Sequence, residues 1–252
     1  MPLPTTLDEL DIPAVLDLGA LLVAQAQRLP VAPTHRGTFA LLGRLRDIGA
    51  IELPWPDPRW AVPVDARETP LEAIQWRLTR GFGSTRDLTD AAIDRLRQTR
   101  WDETSGASGV AIWRELSVME GERYFEYQLA KHHLDPQWAQ DIGYVQQGIG
   151  AVLSAANWRY CAWATVRHAT SLMAQALRAD PAGLRQAMFA DLRRRALALA
   201  TGEWTQGSFA PRQPLPESAR SRLFATDLSG LGPTFWTSAP TLPALLASRP
   251  SR

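Results

Sequence analysis

Glu120 falls on the helical line Trp113, Leu116, Glu120, Tyr124 and Tyr127, in the middle of a predominantly apolar face. A carboxylate there needs a counter-charge or a displaced pKa. Arg159 stands within the Val152, Ala156, Trp163, Val166 face of a later helix and is its natural partner, so the two read as a structural ion pair that fixes helix register. A buried carboxylate can also serve as a general base. A helical-bundle nuclease around Glu120, Arg159 and His168 is therefore the enzyme alternative. Arg159 and His168 have eight residues between them and Arg167 adjoins His168, so neither arginine forms a short-spaced Arg–His ribonuclease pair. His168 shares a helical face with Cys161, Ala164 and Leu172, which predicts a packed imidazole.

The rest of the reactive inventory is thin. The chain has four histidines and a single cysteine, Cys161, with no HExxH and no CxxC, which excludes an internal disulfide and gives no zinc ligand set. His132 and His133 close a long helix, where cations complement the carbonyl end. No GxSxG, GxxxxGK[ST] or GxGxxG is present, and Lys131 is the only lysine, so hydrolase, P-loop, dinucleotide and Schiff-base readings have no anchor. The expectation is a non-enzyme with no catalytic residue, no metal and no cofactor.

A second constellation is made of arginines. Arg36, Arg44 and Arg46, with Arg59 in the adjacent loop, surround the exposed side of one amphipathic helix, an arrangement that holds phosphates and reads a groove. Net charge is only +1, so binding to nucleic acid must rest on such a local patch. The same face can equally serve protein contact. Arg193, Arg194 and Arg195 follow Asp191 and read as a solvated face or an intersubunit salt bridge.

The elements that position these residues follow from periodicity. Val15, Leu18, Leu22, Ala26 and Leu29 keep helical spacing before Pro30 and Pro33. Thr34 caps a second helix whose stripe is Phe39, Leu42, Leu45 and Ile48, widened by Leu41, and Gly49 stops it. Ile51–Leu53 predicts a strand, WPDPR a turn, and Trp60–Val62 its partner. Helix, glycine, strand, turn, strand is the winged-helix order. Thr69, Pro70 and Glu72 then announce a helix carrying Leu71, Ile74, Leu78 and Phe82. Another helix rests on Leu88, Ala92, Ile93 and Leu96, and DETSGASG reads as a flexible boundary.

From Val110 onward the pattern is that of a helical bundle. Ile112, Leu116, Met119, Tyr127, Ala130 and Leu134 trace one helix, Gln137 to Gly150 a weak or kinked one. A third runs from about Ala151 to Ala179 with Trp163, Val166, Met173 and Leu177 on one face. The last rests on Leu184, Met188, Leu192, Ala196 and Leu199. After Trp204 the chain becomes proline-rich, with Phe235, Trp236, Leu242, Leu245 and Leu246 available to wrap on the bundle or dock on a partner.

At 252 residues and 45% hydrophobic content the chain can support two domains. The expected fold is mainly α: a winged-helix-like domain over 7–103 with a small β-hairpin wing and two trailing helices, an α-helical bundle over 109–204, and a proline-rich C-terminal wrap over 205–252. No apolar run approaches membrane-spanning length, and the acidic N-terminus does not resemble a signal peptide, which predicts a cytoplasmic protein. The leading functional expectation is a bacterial-type, non-enzymatic protein that binds duplex DNA as a regulator or nucleoprotein-complex subunit. Its helical domain would self-associate or bind a protein partner. The alternative is an interaction scaffold in a multi-subunit system such as antiphage defence or a mobile element.

Overall fold

A computed structural model of the chain describes residues 6–53, 76–79, 82, 84–150, 152–175, 180–204 and 215–248. Its contacts divide the chain into two compact units, 1–100 with 215–230, and 101–214 with 231–252. The described residues are mainly helical, with one small antiparallel pair of strands.

The first unit is built around α1 (Ile12–Gln27). Asp11 caps it, accepting from the Ala14 amide at 2.8 Å, with Pro13 in the first turn and Arg28 in the left-handed conformation at its end. Every residue from Val15 to Ala24 is buried, so α1 is covered on all sides rather than along the one stripe its spacing predicts; Ala26 is exposed. Its cover comes from α2 (His35–Asp47), α3 (Thr85–Gln98) and the short α8 (Ala219–Leu223). Gly19 permits this crowding. A Cβ there would lie 3.4 Å from Leu223 and 3.6 Å from Ala92, which leaves room for a methyl group only in tight contact.

Thr34 caps α2 through a 3.0 Å bond from the Gly37 amide. Leu41, Leu42 and Leu45 are buried, whereas Phe39 is half-buried and Ile48 is 39% exposed, so the buried face is rotated toward Thr38 and Gly37 from the expected stripe. Gly49, at φ 77°, turns the chain into β1 (Ile51–Glu52). Its described partner is β2 (Arg77–Leu78), with Ile51 opposite Leu78 and Glu52 opposite Arg77. Leu78 thus stands in a strand and not in the predicted helix, whose Leu71 and Ile74 lie outside the described residues. The Thr79 hydroxyl and amide donate to the carbonyls of Gly49 (2.7 Å) and Ala50 (3.2 Å), and these bonds hold the chain extended beside β1 against its helical periodicity. The predicted return strand Trp60–Val62, Arg59 and the Thr69 cap lie outside the described residues.

After Ser84 caps α3, which buries Leu88, Ala92 and Leu96, the chain enters the second unit. Here α4 (Gly106–Lys131) begins inside the segment read as a flexible boundary. Its glycines are explained by packing: a Cβ at Gly109 would lie 2.7 Å from Leu245, and one at Gly106 would collide with Leu242. Next come a 3-10 turn at Pro136–Gln140, α5 (Asp141–Ile149) ended by left-handed Gly150, α6 (Ala155–Gln175) and α7 (Pro181–Ala200), capped by Asp180. α4 lies against α6, and α7 against both α5 and α6. The buried face of α6 is Trp158, Cys161, Ala162, Val166 and Ala169, while Met173, expected inside, is 40% exposed.

The C-terminal region is shared. Residues 215–230 supply α8 and a π-helical turn at Phe224–Leu228 to the first unit. Residues beyond 230 supply α9 (Thr234–Thr237) and α10 (Leu242–Ser248) to the second, where Phe235 and Leu245 are buried.

Candidate functional site

On α2, opposite the buried leucines, lie Arg36, Ala40, Gly43 and Asp47, spaced to share one face. Two of these four are small. A Cβ at Gly43 would meet nothing within 4 Å, so this face lets another surface approach the helix backbone closely. Arg44 and Arg46 flank it on either side, both exposed. Arg46 donates through Nε (3.0 Å) and Nη2 (2.7 Å) to Oδ1 of the neighbouring Asp47.

Arg44 turns the other way. Its Nε and Nη2 both lie 2.8 Å from Oδ2 of Asp17, a residue of α1 that is 1% exposed, while 44% of the Arg44 side chain stays in solvent. The other oxygen of Asp17 accepts from Arg220 Nε at 2.7 Å, and the Arg220 side chain is 2% exposed. One carboxylate thus serves two guanidiniums, one buried and one reaching the surface. The next turn of the chain is braced from the same place: the Ala219 and Arg220 amides donate to the carbonyls of Pro30 (2.8 Å) and Val31 (2.9 Å), in the connection between α1 and α2.

Asp17 and Arg220 were not singled out by sequence. The signal for Asp17 was present, a carboxylate between Leu16 and Leu18 in an otherwise apolar run, which requires a partner. No local signal pointed to Arg220, which sits in the stretch read as a proline-rich C-terminal wrap.

In the second unit, Arg159 Nη2 lies 3.2 Å from Glu120 Oε2, with side-chain exposures of 4% and 0%. The ring of Trp236 in α9 covers the Arg159 guanidinium at 4.2 Å. Burial pulls the Arg159 and Arg123 guanidiniums below their ordinary range, against the attraction of Glu120 on both. Burial likewise raises the Tyr124 hydroxyl, which the Arg159 charge opposes. A carboxylate with no exposed surface, paired with a guanidinium that an indole covers, holds helices together rather than meeting a substrate. His168 is exposed, not packed as its face predicts, and it stands beside Arg167, whose guanidinium lies over Trp163 at 4.9 Å.

The arginines of α7 are also less free than their sequence reads. Asp191 accepts from Arg194 and Arg195, each at 2.6 Å, and from the Thr165 hydroxyl at 3.2 Å. Burial raises the Asp191 carboxyl, but the bonds from Arg195 and Arg194 outweigh it and hold it below the ordinary carboxylate value. Trp204 lies under both guanidiniums, at 5.4 and 5.8 Å. Burial drives the nearby Cys161 thiol up to about 12, which leaves it protonated and unreactive at neutral pH.

Among the described residues no group of three or more His, Cys, Asp or Glu side chains could hold a metal ion, and no helix is long and apolar enough to cross a membrane. No protein-family model, curated protein or solved structure matches the chain.

Proposed function

We propose that the protein is a cytoplasmic, non-enzymatic DNA-binding protein, a regulator or a subunit of a nucleoprotein complex, whose first unit docks α2 on duplex DNA in the manner of a winged helix. Its second, helical unit would bind a protein partner or another copy. The observation that carries this reading is the outer side of α2, small at Ala40 and Gly43, edged by Arg36, Arg44 and Arg46, and followed directly by the β1–β2 pair. A backbone-accessible helix edged by arginines suits a groove walled by phosphates. Arg44 is the best-placed contact. Asp17 occupies only its Nε–Nη2 edge, and the half-exposed remainder can donate to a phosphate.

A second reading, a scaffold whose α2 face meets a protein, draws on the carboxylates. Asp47 sits on the same face, its charge offsetting Arg46, and the whole chain carries only +1. A nuclease centred on Glu120 has the least support, because that carboxylate is buried and paired.

The experiment is a titration with random duplex DNA at several salt concentrations, comparing the parent with Arg44→Gln/Arg46→Gln. Glutamine is chosen because a charge reversal at position 44 would set a second carboxylate against Asp17. Each lost phosphate contact should lower the steepness of the salt dependence by about one. A double variant that binds with the parent's salt dependence overturns the DNA reading, and a parent that binds no DNA at low salt leaves the scaffold.

A further inference from the structure

We propose that Arg220 is a positioning residue for Arg44: acting through Asp17, it fixes the guanidinium that the DNA-binding reading assigns to a backbone phosphate. The inference rests on that reading for its ligand, and on geometry alone for the link between the two arginines.

The geometry is a division of one carboxylate. Arg220 Nε takes Oδ1 of Asp17, and Arg44 makes both of its bonds to Oδ2. An arginine and a free carboxylate prefer a two-oxygen fork, with Nε and Nη2 each on its own oxygen. Arg220 denies Arg44 that arrangement by holding Oδ1. Arg44 is thereby held by its Nε–Nη2 edge on one oxygen alone, whereas closing the fork would engage the same two donors but swing the guanidinium toward Oδ1 and so move its remaining donors. Tethering removes part of the entropy cost of ordering a long side chain on a phosphate.

Arg220 is itself fixed more firmly than a surface arginine could be. It is 2% exposed, its backbone amide and that of Ala219 donate to the α1–α2 connection, and Arg222 donates to Gln27 Oε1 at 2.7 Å at the end of α1. Arg97 of α3 bonds Asp227 at 2.8 Å in the following π-helical turn. The segment 215–230 therefore grips α1, its connection to α2 and α3 together. It positions the phosphate-facing arginine from a part of the sequence that follows most of the second unit.

The test uses the full chain and has two arms. In the first, the Nε–H of Arg44 is followed by 15N NMR. In the parent its exchange with solvent should be slowed by about tenfold or more relative to an unbonded arginine. Arg220→Met, which leaves Asp17 still neutralised by Arg44, should shift this signal as Arg44 closes the fork, and Arg220→Lys should restore it. In the second, DNA titrations compare Arg220→Met, Arg44→Gln and the double variant. Arg220→Met should weaken binding in the parent by moving Arg44 off its phosphate, by no more than Arg44→Gln does, and should add nothing in the Arg44→Gln background.

The proposal is overturned if the Arg44 signal exchanges freely in the parent, a measurement that needs no variant, or if it is indifferent to Arg220→Met. It is also overturned if the two substitutions add in DNA binding. A parent that binds no DNA while the Arg44 signal responds to Arg220 removes the DNA reading and leaves the link between the arginines standing.

Discussion

Asp17 and Arg220 are 203 residues apart in sequence and joined by a 2.7 Å bond from guanidinium to carboxylate, with side-chain exposures of 1% and 2%. Replacing Asp17 by asparagine takes its carboxylate from a buried guanidinium, and breaking a buried pair from one side costs about 3–5 kcal/mol. Arg220→Met should cost clearly less, since Arg44 remains to neutralise Asp17. Urea unfolding of the two variants checks the order, and an Asp17→Asn chain as stable as the parent would refute the assignment.

Glu120→Gln makes the parallel prediction in the second unit. It leaves Arg159, 4% exposed, without its carboxylate, at a cost of about 3–5 kcal/mol. Adding Arg159→Met should recover a large part of that loss, because an apolar pair needs no compensation. A double-mutant cycle measures the recovery; strict additivity would mean that the two side chains do not depend on each other.

Asp191 gives a pH dependence with a definite sign. Its carboxyl lies below the ordinary value of 3.8 in the folded chain, so the folded state binds fewer protons than the unfolded one in that range. The contribution to stability is present in full above the ordinary value and disappears as pH falls through the folded one. Asp191→Asn should therefore be less stable than the parent at neutral pH, with the gap closing in acid. Stability measured against pH for both chains tests this, and a gap that widens in acid would contradict it.

Two glycines should respond in opposite directions. A Cβ at Gly121 would collide with Trp158 Cβ, where α4 and α6 meet, so Gly121→Ala forces the helices apart at a cost of about 1–3 kcal/mol or more. Gly43 faces open space within α2, and Gly43→Ala should stabilise by up to about 1 kcal/mol through helix propensity. Thermal unfolding distinguishes the two.

The sequence made some of this legible for physical reasons. The α2 cap at Thr34 announces itself locally, and the leucines of α2, α3 and α7 keep the helical period. Glu120 and Arg159 stood out because each is a charge inside an apolar stripe. What failed was decided by distant contacts. Arg77–Leu78 is a strand because Thr79 bonds to Gly49 and Ala50, and the glycines of SGASG are helical because Leu242 and Leu245 lie against them. Asp17 and Arg220 show the same limit: the requirement for a partner is local, and the partner is not.

The most direct measurement is the affinity of the parent chain for random duplex DNA as salt is raised. With Arg36, Arg44 and Arg46 each on a phosphate, affinity should fall roughly fortyfold between about 50 and about 200 mM salt. Binding that is absent at the lower salt, or indifferent to the change, would contradict a DNA-docking α2.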